Sequence, residues 1–305
     1  MPRRRRDDPN APMGVLNIDK PGGMTSHDVV ARVRRLSRQR RVGHAGTLDP
    51  MATGVLVVCL GRATRIIEYL TGTSKAYRAT VRLGVVTDTW DAEGAVVATH
   101  PCEAVRQGDV EQELDAFRGE IEQTPPMYSA LKRDGQPLYK LARQGVTVER
   151  APRRIILYRV DLVAWTPPTL TLDVVCSKGT YVRALAHDLG QALGVGAHLA
   201  ALRRTAVGAF TVDDAVTLDT LEAEGEDKAW HRHAVPLHRA LAHLPAITVD
   251  ADAIRCLRYG QAIPLTIETR ESLVCAYDGA RELVAVLCPG DEPGVWRPQK
   301  VLSIA

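Results

Sequence analysis

Apolar side chains recur along this chain with two different periods. Within residues 29–36 and again within 182–189 they follow helical spacing, at every third or fourth position. Thr25 or Ser26 can cap the first of these helices, and Gly194 lies where the second can end. The pattern therefore predicts two amphipathic helices.

Other segments alternate apolar and polar side chains, as half-buried strands do. Residues 77–83 read YRATVRL, and residues 170–176 repeat the alternation. Tyr77 opens the apolar face of the first strand, and Val55–Leu60 is an apolar run typical of a buried strand. Because strands and helices interleave without regular βαβ spacing, we expect an α/β (α+β) fold with a mixed sheet rather than a doubly wound one.

The texture of the chain changes at three places. Residues 123–145 are proline-led and basic and carry two tyrosines, which predicts an excursion from the sheet, over about 123–150, able to lie along a ligand. Residues 219–245 are charged and irregular, as domain junctions often are. Short strands and turns after that predict a small all-β domain over 246–305, so that the main domain spans 13–245.

The composition is ordinary for a globular protein, with 45% hydrophobic and 25% charged residues in 305. Six cysteines occur without any CxxC pair, which argues against a zinc module and suits a reducing cytoplasm. No apolar run reaches the length of a membrane span. Residues 1–12 are basic without an apolar segment behind them, so we expect a disordered tail.

Positive charge is concentrated in one stretch near the start of the chain. Residues 32–41 contain six arginines and no acid, whereas residues 246–305 hold six basic and eight acidic residues. Such a stretch is either a solvated helix face or a surface that neutralises nucleic-acid phosphates. Arg38 and Arg41 are the candidate phosphate contacts.

Several common chemistries lack their sequence motifs here. There is no GxGxxG, GxxxxGK[ST], HExxH or GxSxG, so we expect no cofactor and neither zincin nor serine-hydrolase chemistry. His231, His233, His238 and His243 are irregularly spaced with no cysteine near, and surface histidines explain them better than a metal site. We therefore predict no bound metal.

The stretch GHAGTLDPMATG, residues 43–54, places a single carboxylate among small side chains. Asp49 before Pro50 is common in turns, and that structural role alone can account for it. Glycine and alanine around a lone acid also let a large ligand approach closely, as a catalytic carboxylate requires. These residues alone leave both interpretations open.

Six blocks of sequence resemble one enzyme family. Between residues 13 and 218 the chain reads, in order, DKPGGMTSHDVV, GHAGTLDPMATGVLVVCLGRAT, KAYRATVRLGVVTDTWDAEG, PPMYSALKRDGQPLYKLARQG, CSKGTYVRALAHDLG and HLAALRRTAVGAF. Their order and spacing are similar to those of the TruB family of bacterial tRNA pseudouridine synthases. The last 60 residues resemble, on weaker signals, the PUA-type RNA-binding domain that follows in many members.

The resemblance implies a fold and an activity. The fold is the pseudouridine synthase fold, a mixed, largely antiparallel central sheet flanked by helices, followed by a PUA-like domain. The activity is the isomerisation of uridine 55 in the T-arm of tRNA to pseudouridine, with the base flipped out of its stack. Such a reaction needs no redox step and no cofactor.

The resemblance also assigns three catalytic residues. Asp49 matches the family's catalytic aspartate and would act as nucleophile or base on the nucleotide. Arg183 matches the active-site arginine, and a buried guanidinium beside Asp49 would keep that carboxylate ionised and oriented. Tyr77 matches the tyrosine that stacks on the target base.

Further residues are expected around the substrate. His44, Tyr181 and Leu202 match positions that line the pocket, although Leu202 taken alone fits a helix core, and Lys20 matches a lysine that supports the site. The excursion is the candidate clamp on the T-arm. The expected contacts with the RNA backbone come from four basic residues: Arg38, Arg41, Lys132 and Arg133.

The implied partner is the T-arm stem-loop of tRNA, with no membrane and no obligatory protein partner, for a cytoplasmic monomer. Two alternatives remain. One is an RNA-binding or tRNA-folding protein of the same fold with little catalysis, and the other is a relative that modifies RNA only within a guide-RNA complex.

Overall fold

The computed structural model describes residues 12–302 except 130, 134, 147, 226–228, 268 and 270, with backbone alone at 132, 133, 143 and 229. The expected tail, residues 1–12, lies outside this part except for Pro12. The contacts divide the chain into two compact units. Unit 1 comprises the chain up to Asp49, Val55–Gly72 and the chain from Val207 onward, and unit 2 comprises Pro50–Gly54 and Thr73–Ala206.

The helices are short and lie between strands. They are α1 (Ser26–Leu36), α2 (Ile67–Thr71), α3 (Gln107–Ala116), α4 (Leu138–Arg143), α5 (Val182–Ala192), α6 (Leu218–Ala223), α7 (Leu237–Ala240) and α8 (Ala251–Arg258). Two 3₁₀ helices span Gly61–Ile66 and Ala229–His233.

The strands range from two to fourteen residues in length. They are β1 (Gly14–Lys20), β2 (Val42–His44), β3 (Thr53–Leu60), β4 (Lys75–Leu83), β5 (Val85–Thr87), β6 (Val96–Thr99), β7 (Gly119–Gln123), β8 (Lys132–Arg133), β9 (Gln136–Pro137), β10 (Arg153–Thr166), β11 (Thr169–Cys176), β12 (Ala197–Val207), β13 (Phe210–Thr211), β14 (Val216–Thr217), β15 (Ala234–Val235), β16 (Ala246–Thr248), β17 (Ile263–Pro264), β18 (Val274–Tyr277), β19 (Leu283–Pro289) and β20 (Val295–Val301).

Helix α1 forms where the sequence predicts it, and Thr25 rather than Ser26 is its cap. The Thr25 hydroxyl accepts from the Asp28 backbone N–H at 3.1 Å, while the Asp28 carboxylate accepts from the Thr25 N–H at 2.9 Å. This capping box satisfies two N–H groups that a helix start leaves open. Val29, Val30 and Val33 are buried, which confirms the apolar face of the helix.

Unit 1 contains a mixed sheet and a small β-rich segment at its C-terminal end. In the sheet, β1 lies between β14 and β3, parallel to β14, and β2 pairs antiparallel with β3. In the C-terminal segment the strand order is β16-β18-β19-β20-β17, and α8 packs against β19 and β20. The expected small β domain is confirmed by these strands, and α8, which Asp250 caps, is an addition that strand patterning alone did not predict.

The C-terminal segment shares an apolar core with earlier parts of unit 1. One cluster contains buried side chains of β3 and of the segment 61–70 together with those of β18, β19 and Leu302. The guanidinium groups of Arg62 and Arg65 donate to the carbonyls of Leu302 and Val301, at 2.7 and 2.6 Å. The expected boundary between 245 and 246 stays a prediction.

Unit 2 is built on a largely antiparallel sheet with the strand order β12-β4-β11-β10-β7. The pairs β4–β11, β11–β10 and β10–β7 are antiparallel, so the mixed and largely antiparallel arrangement predicted from the sequence is confirmed. Thr53 and Gly54, the first residues of β3, pair parallel with Arg203 and Arg204 of β12. Leu202 lies on β12 and not in a helix, because pairing within the sheet overrides local helical preference.

Among the helices of the described residues, none combines the length and the apolar character that crossing a membrane requires.

Candidate active site

Asp49 lies in unit 1, half-buried, in an irregular loop whose preceding residues are held by hydrogen bonds. The backbone N–H of Leu48 donates to the Ser26 hydroxyl at 2.8 Å, and that hydroxyl donates to the Leu48 carbonyl at 3.1 Å. Upstream, the Ala45 N–H donates to the Val57 carbonyl at 2.9 Å. The backbone that leads into Asp49 is therefore held by contacts with α1 and β3.

His44 and Lys20, both expected at the site, are also in unit 1. His44 ends β2, and its ring meets the ring of His27 edge to face, with centroids 5.5 Å apart. Lys20 is fully buried at the end of β1, and its ammonium donates to the carbonyls of Pro21 at 2.8 Å and Met24 at 2.6 Å. Lys20 thus holds the turn between β1 and α1, a supporting position.

The guanidinium of Arg183 contacts a carboxylate and two backbone carbonyls. Arg183 is the second residue of α5, it is 5% exposed, and its Nη1 lies 3.1 Å from an oxygen of the Asp91 carboxylate. Nη1 also lies 3.4 Å from the Thr89 carbonyl, and Nη2 donates to the Tyr128 carbonyl at 2.8 Å. Two segments, both far from α5 in sequence, therefore fix one guanidinium plane.

Burial makes the ion pair between Arg183 and Asp91 consequential. The two side chains are 6% and 3% exposed, so neither charge is compensated by water. Removing one partner of such a pair costs about 3–5 kcal/mol, since the other charge stays buried and uncompensated. The orientation of the guanidinium is therefore fixed before any ligand arrives.

Asp91 is itself held in a turn. The Thr89 hydroxyl donates to one carboxylate oxygen at 2.6 Å, and the Glu93 N–H donates to the same oxygen at 3.1 Å. The other carboxylate oxygen faces Arg183. Both oxygens of the Asp91 carboxylate therefore have directional partners, and these hold it in place against Arg183.

The start of α5 is fastened by an amide side chain. Gln123, 3% exposed, accepts from the Tyr181 N–H at 2.8 Å and donates to the Tyr181 carbonyl at 3.1 Å. Tyr181, an expected substrate-pocket residue, is the N-cap of α5. Unit 2 thus brings Tyr181 and Arg183 together at one helix end.

Tyr77 and Leu202 complete the expected residues of unit 2. Tyr77 is half-buried on β4, in register with Val174, and shares its face with the buried side chains at 79, 81 and 83. On the same face, burial lowers the pKa of Lys75 to about 8, with the positive charge of Arg204 as a second cause. Leu202 is buried on β12.

The expected contacts with the RNA backbone divide into two groups. Arg38 and Arg41 are exposed just after α1, and Arg38 has a left-handed backbone with φ of 52°. Lys132 and Arg133 form the backbone of β8, and their side chains lie outside the described atoms. The placement of Arg183 beside Asp49 likewise stays a prediction.

Sequence reasoning missed Asp91 and Gln123. Asp91 sits in a stretch of threonine, aspartate and glycine that is typical of a turn, and it does form that turn. Gln123 ends a strand with no periodic signal of its own. A carboxylate inside one of the six blocks was the signal available for Asp91, whereas nothing local could have found Gln123.

Models of known families match most of the chain. Residues 34–182 match the TruB family pseudouridylate synthase N-terminal domain. Residues 183–242 match the tRNA pseudouridylate synthase B C-terminal domain.

Curated relatives extend the match. The tRNA pseudouridine synthase B of Dehalococcoides mccartyi is 45% identical over 94% of this chain and 96% of its own length. That of Syntrophotalea carbinolica is 49% identical over 89% of this chain and 88% of its own.

Solved structures agree with these matches. In the Cbf5–Nop10–Gar1 complex, the matching chain has a TM-score of 0.73 at 28% identity, over 95% of this chain and 85% of that chain. The archaeal box H/ACA sRNP Nop10–Cbf5 complex gives 0.72 at 28%, over 95% and 86%. The chain therefore belongs to the TruB family of pseudouridylate synthases, and it is an enzyme, an isomerase.

Proposed function

We propose that this enzyme converts uridine 55 in the T-arm of tRNA to pseudouridine. The names of its curated relatives support tRNA as the substrate class. The observation that carries the proposal is the buried guanidinium of Arg183, fixed by Asp91 and two carbonyls, in a chain that keeps the family's Asp49 and Tyr77.

The reaction is an isomerisation whose atoms balance without any co-reactant. The bond between N1 of uracil and C1′ of the sugar breaks, the base turns, and a bond forms between C5 and C1′. The hydrogen on C5 leaves as a proton, while N1 gains one. No electron donor or acceptor is consumed.

Three side chains carry the chemistry in this proposal. Asp49 acts as nucleophile or base on the nucleotide. Arg183 stabilises the ionised form of that carboxylate and fixes its orientation. Tyr77 stacks on the target base, and Tyr181, Leu202 and His44 line the pocket around it.

The base must leave its stack before Asp49 can reach it, at a cost of a few kcal/mol. We propose that His44 fills the gap that the base leaves. Lys20 supports the site through the turn between β1 and α1. The exposed Arg38 and Arg41, with Lys132 and Arg133 of the excursion, neutralise phosphates of the T-arm. Recognition then rests on shape and stacking, as is usual for folded RNA.

We propose that the chain acts alone, as a cytoplasmic monomer without an obligatory protein partner or a membrane. Cbf5, the similar protein in the solved complexes, is found with Nop10 and Gar1. The tRNA pseudouridine synthase B relatives are more similar to this chain, at 45% and 49% identity against 28% for the chain in the Cbf5 complexes.

The decisive assay uses an unmodified T-arm stem-loop tritiated at C5 of uracil, with the purified chain alone. We expect wild type to release tritium to water. Asp49→Asn, which keeps the size but loses the charge, should slow release by a factor of about 10⁴ with RNA binding nearly unchanged. Asp109→Asn, at the exposed start of α3, is the matched control and should keep the wild-type rate.

Each other outcome assigns a different function. RNA binding without label release from wild type would favour the RNA-binding or tRNA-folding protein. Release only after cell extract is added would favour a partner-dependent enzyme. Release by Asp49→Asn within tenfold of wild type would remove Asp49 from the chemistry.

A further inference from the structure

Trp90 is held between two side chains in unit 2. Its indole stacks on the ring of His187, with centroids 4.3 Å apart and planes 8° from parallel. The guanidinium carbon of Arg150 lies 5.9 Å from the centroid of the indole. Burial lowers the pKa of His187, so the imidazole is uncharged at neutral pH and the stack is a contact of neutral rings. Arg150 adds a cation to the indole.

The backbone at Trp90 is strained. Its φ is 64°, in the left-handed region that a bulky side chain rarely adopts. Such a conformation costs about 1–3 kcal/mol and persists only where surrounding contacts enforce it. Here the Trp90 carbonyl accepts from the Leu199 N–H at 3.0 Å, and Asp91 forms a parallel bridge with Leu199. The chain thus holds an unfavourable conformation at the residue next to the partner of Arg183.

Two neighbouring residues of this turn meet two residues on one face of α5. Arg183 and His187 are four positions apart, so their side chains lie one above the other on the helix. Asp91 contacts the first and Trp90 stacks on the second. The guanidinium already holds the turn at Asp91 and at the Thr89 carbonyl. The stack adds a contact with α5 one helical turn away, which fixes the orientation of the turn against the helix.

The excursion approaches the same group of residues from the other side. Arg150, at the end of the excursion, donates to the Pro125 carbonyl at 3.1 Å while it lies against Trp90. The Tyr128 carbonyl accepts from Arg183 at 2.8 Å. The segment expected to clamp RNA therefore contacts both the indole and the arginine.

We propose that Trp90 is a positioning residue: its stack on His187 locks the turn that carries Asp91 against α5, so that the Arg183 guanidinium is held in its reactive orientation. The proposal rests on the proposed function, because its consequence is measured as pseudouridine formation. Trp90 acts through Asp91 and Arg183.

The first test compares Trp90→Ala with Trp90→Phe in single-turnover tritium release at saturating RNA. A small misplacement of a catalytic group slows chemistry strongly, so Trp90→Ala should lose about tenfold or more in rate. Trp90→Phe keeps a ring that can stack and should stay within about threefold of wild type. The dissociation constant for RNA should change by less than about threefold in both, since phosphate contacts dominate affinity.

Trp165→Ala is the matched control. Trp165 is also half-buried in unit 2, on β10 in register with Leu170. Its replacement removes the same type of side chain from unit 2 at a position away from the turn. It should keep the wild-type single-turnover rate. If Trp90→Ala keeps a rate equal to that of Trp165→Ala, Trp90 does not position the site.

His187→Ala tests the same contact without altering the strained turn. It should lower the rate in the same direction, and in Trp90→Ala/His187→Ala the two effects should be far from additive. The emission of Trp90, taken as wild type minus Trp90→Phe, should shift to longer wavelength in His187→Ala as water reaches the ring. An unshifted emission together with additive rate losses would overturn the stack as the means of positioning.

A third measurement separates this proposal from the proposed function. In urea unfolding, the decreases in stability in Trp90→Ala and Arg183→Met should be less than additive, because both variants break one fastening of the turn to α5. This result is expected even if wild type releases no tritium, an outcome that would overturn the proposed function alone. Additive decreases in stability would overturn the positioning role, and they also decide the case if Trp90→Ala folds too poorly for the rate assay.

Discussion

Arg183 and the arginine-rich residues 32–41 show how burial changes the behaviour of one type of side chain. Arg183 in unit 2 is 5% exposed and held by a carboxylate and two carbonyls. The arginines of residues 32–41 in unit 1 are largely exposed or half-buried. There Arg32 lies 3.5 Å from the Glu222 carboxylate, with both side chains about 40% exposed, and Arg34 donates to the Val42 carbonyl at 3.1 Å.

The difference is one of dielectric and fixed geometry. A buried guanidinium interacts with a neighbouring charge several times more strongly than one in water, and its orientation is set before the substrate binds. Charges on exposed arginines are screened by salt, so these side chains contribute affinity and steering instead. We therefore expect Arg183 to affect the rate of the reaction and the exposed arginines of residues 32–41 to affect the affinity for RNA.

Within this comparison, the largest expected effect is that of Arg183→Met. Asp91 then stays buried without its cation, so the free energy of unfolding should fall by about 3–5 kcal/mol. Single-turnover tritium release should fall by about 10³ if the guanidinium orients the catalytic carboxylate. Arg35→Met, on the exposed side of α1, is the control and should change the unfolding free energy by less than about 0.5 kcal/mol. Equal effects in the two variants would end the comparison.

Asp91→Asn should have the next largest effect. The amide keeps the size of the carboxylate and still accepts hydrogen bonds, but it removes the negative charge beside Arg183. The rate of tritium release should fall by about 10²-fold, with the dissociation constant for RNA nearly unchanged. A decrease in affinity larger than the decrease in rate would place Asp91 among the RNA-binding residues.

Asp188 extends the comparison to a carboxyl on α5 whose main influence is burial, which raises its pKa to about 6 from an ordinary 3.8. A raised pKa means that folding favours the protonated acid. The free energy of unfolding therefore falls as the pH rises from 3.8 to about 6, and the loss is fully present above pH 6. Asp188→Asn should therefore stabilise the protein at pH 8 by about 1–2 kcal/mol, a value reduced for solvent screening of this half-buried group.

The same variant should leave stability nearly unchanged at pH 3.5, below both the folded and the unfolded pKa of Asp188. Urea unfolding at the two pH values measures the difference. Asp213→Asn, in an exposed loop, is the control and should show no dependence of this kind. A gain that is equal at both pH values would attribute the effect to packing.

The smallest effect is expected in the exposed stretch. Arg38→Ala and Arg41→Ala should each weaken tRNA binding and reduce the slope of log affinity against log salt, by up to about one unit for each phosphate that the variant no longer neutralises. The single-turnover rate at saturating RNA should not change. Slopes equal to that of wild type would make this stretch a solvated helix face.

Local sequence was enough for much of the fold. The apolar periodicity predicted the face of α1, and the alternation in residues 77–83 predicted β4 with Tyr77 in line with its buried side chains. These elements depend on neighbours within a few positions, so a single segment contains their cause. Leu202 taken alone fits a helix core, but it lies on β12, because that strand is decided by partners in the sheet, which a local pattern does not contain.

The sequence by itself determined the family, and the order of its motifs points to Asp49, Tyr77 and Arg183 as the residues proposed to carry the chemistry. Tertiary structure decided how Arg183 is held: its carboxylate partner is 92 positions away and its carbonyl partner at Tyr128 is 55 away. Tertiary structure also explains why residue 54 is a glycine. A Cβ there, at φ +97°, would lie 2.2 Å from the Arg204 carbonyl oxygen. Such contacts arise only when distant segments pack, since spacing along the chain carries no record of which segments meet.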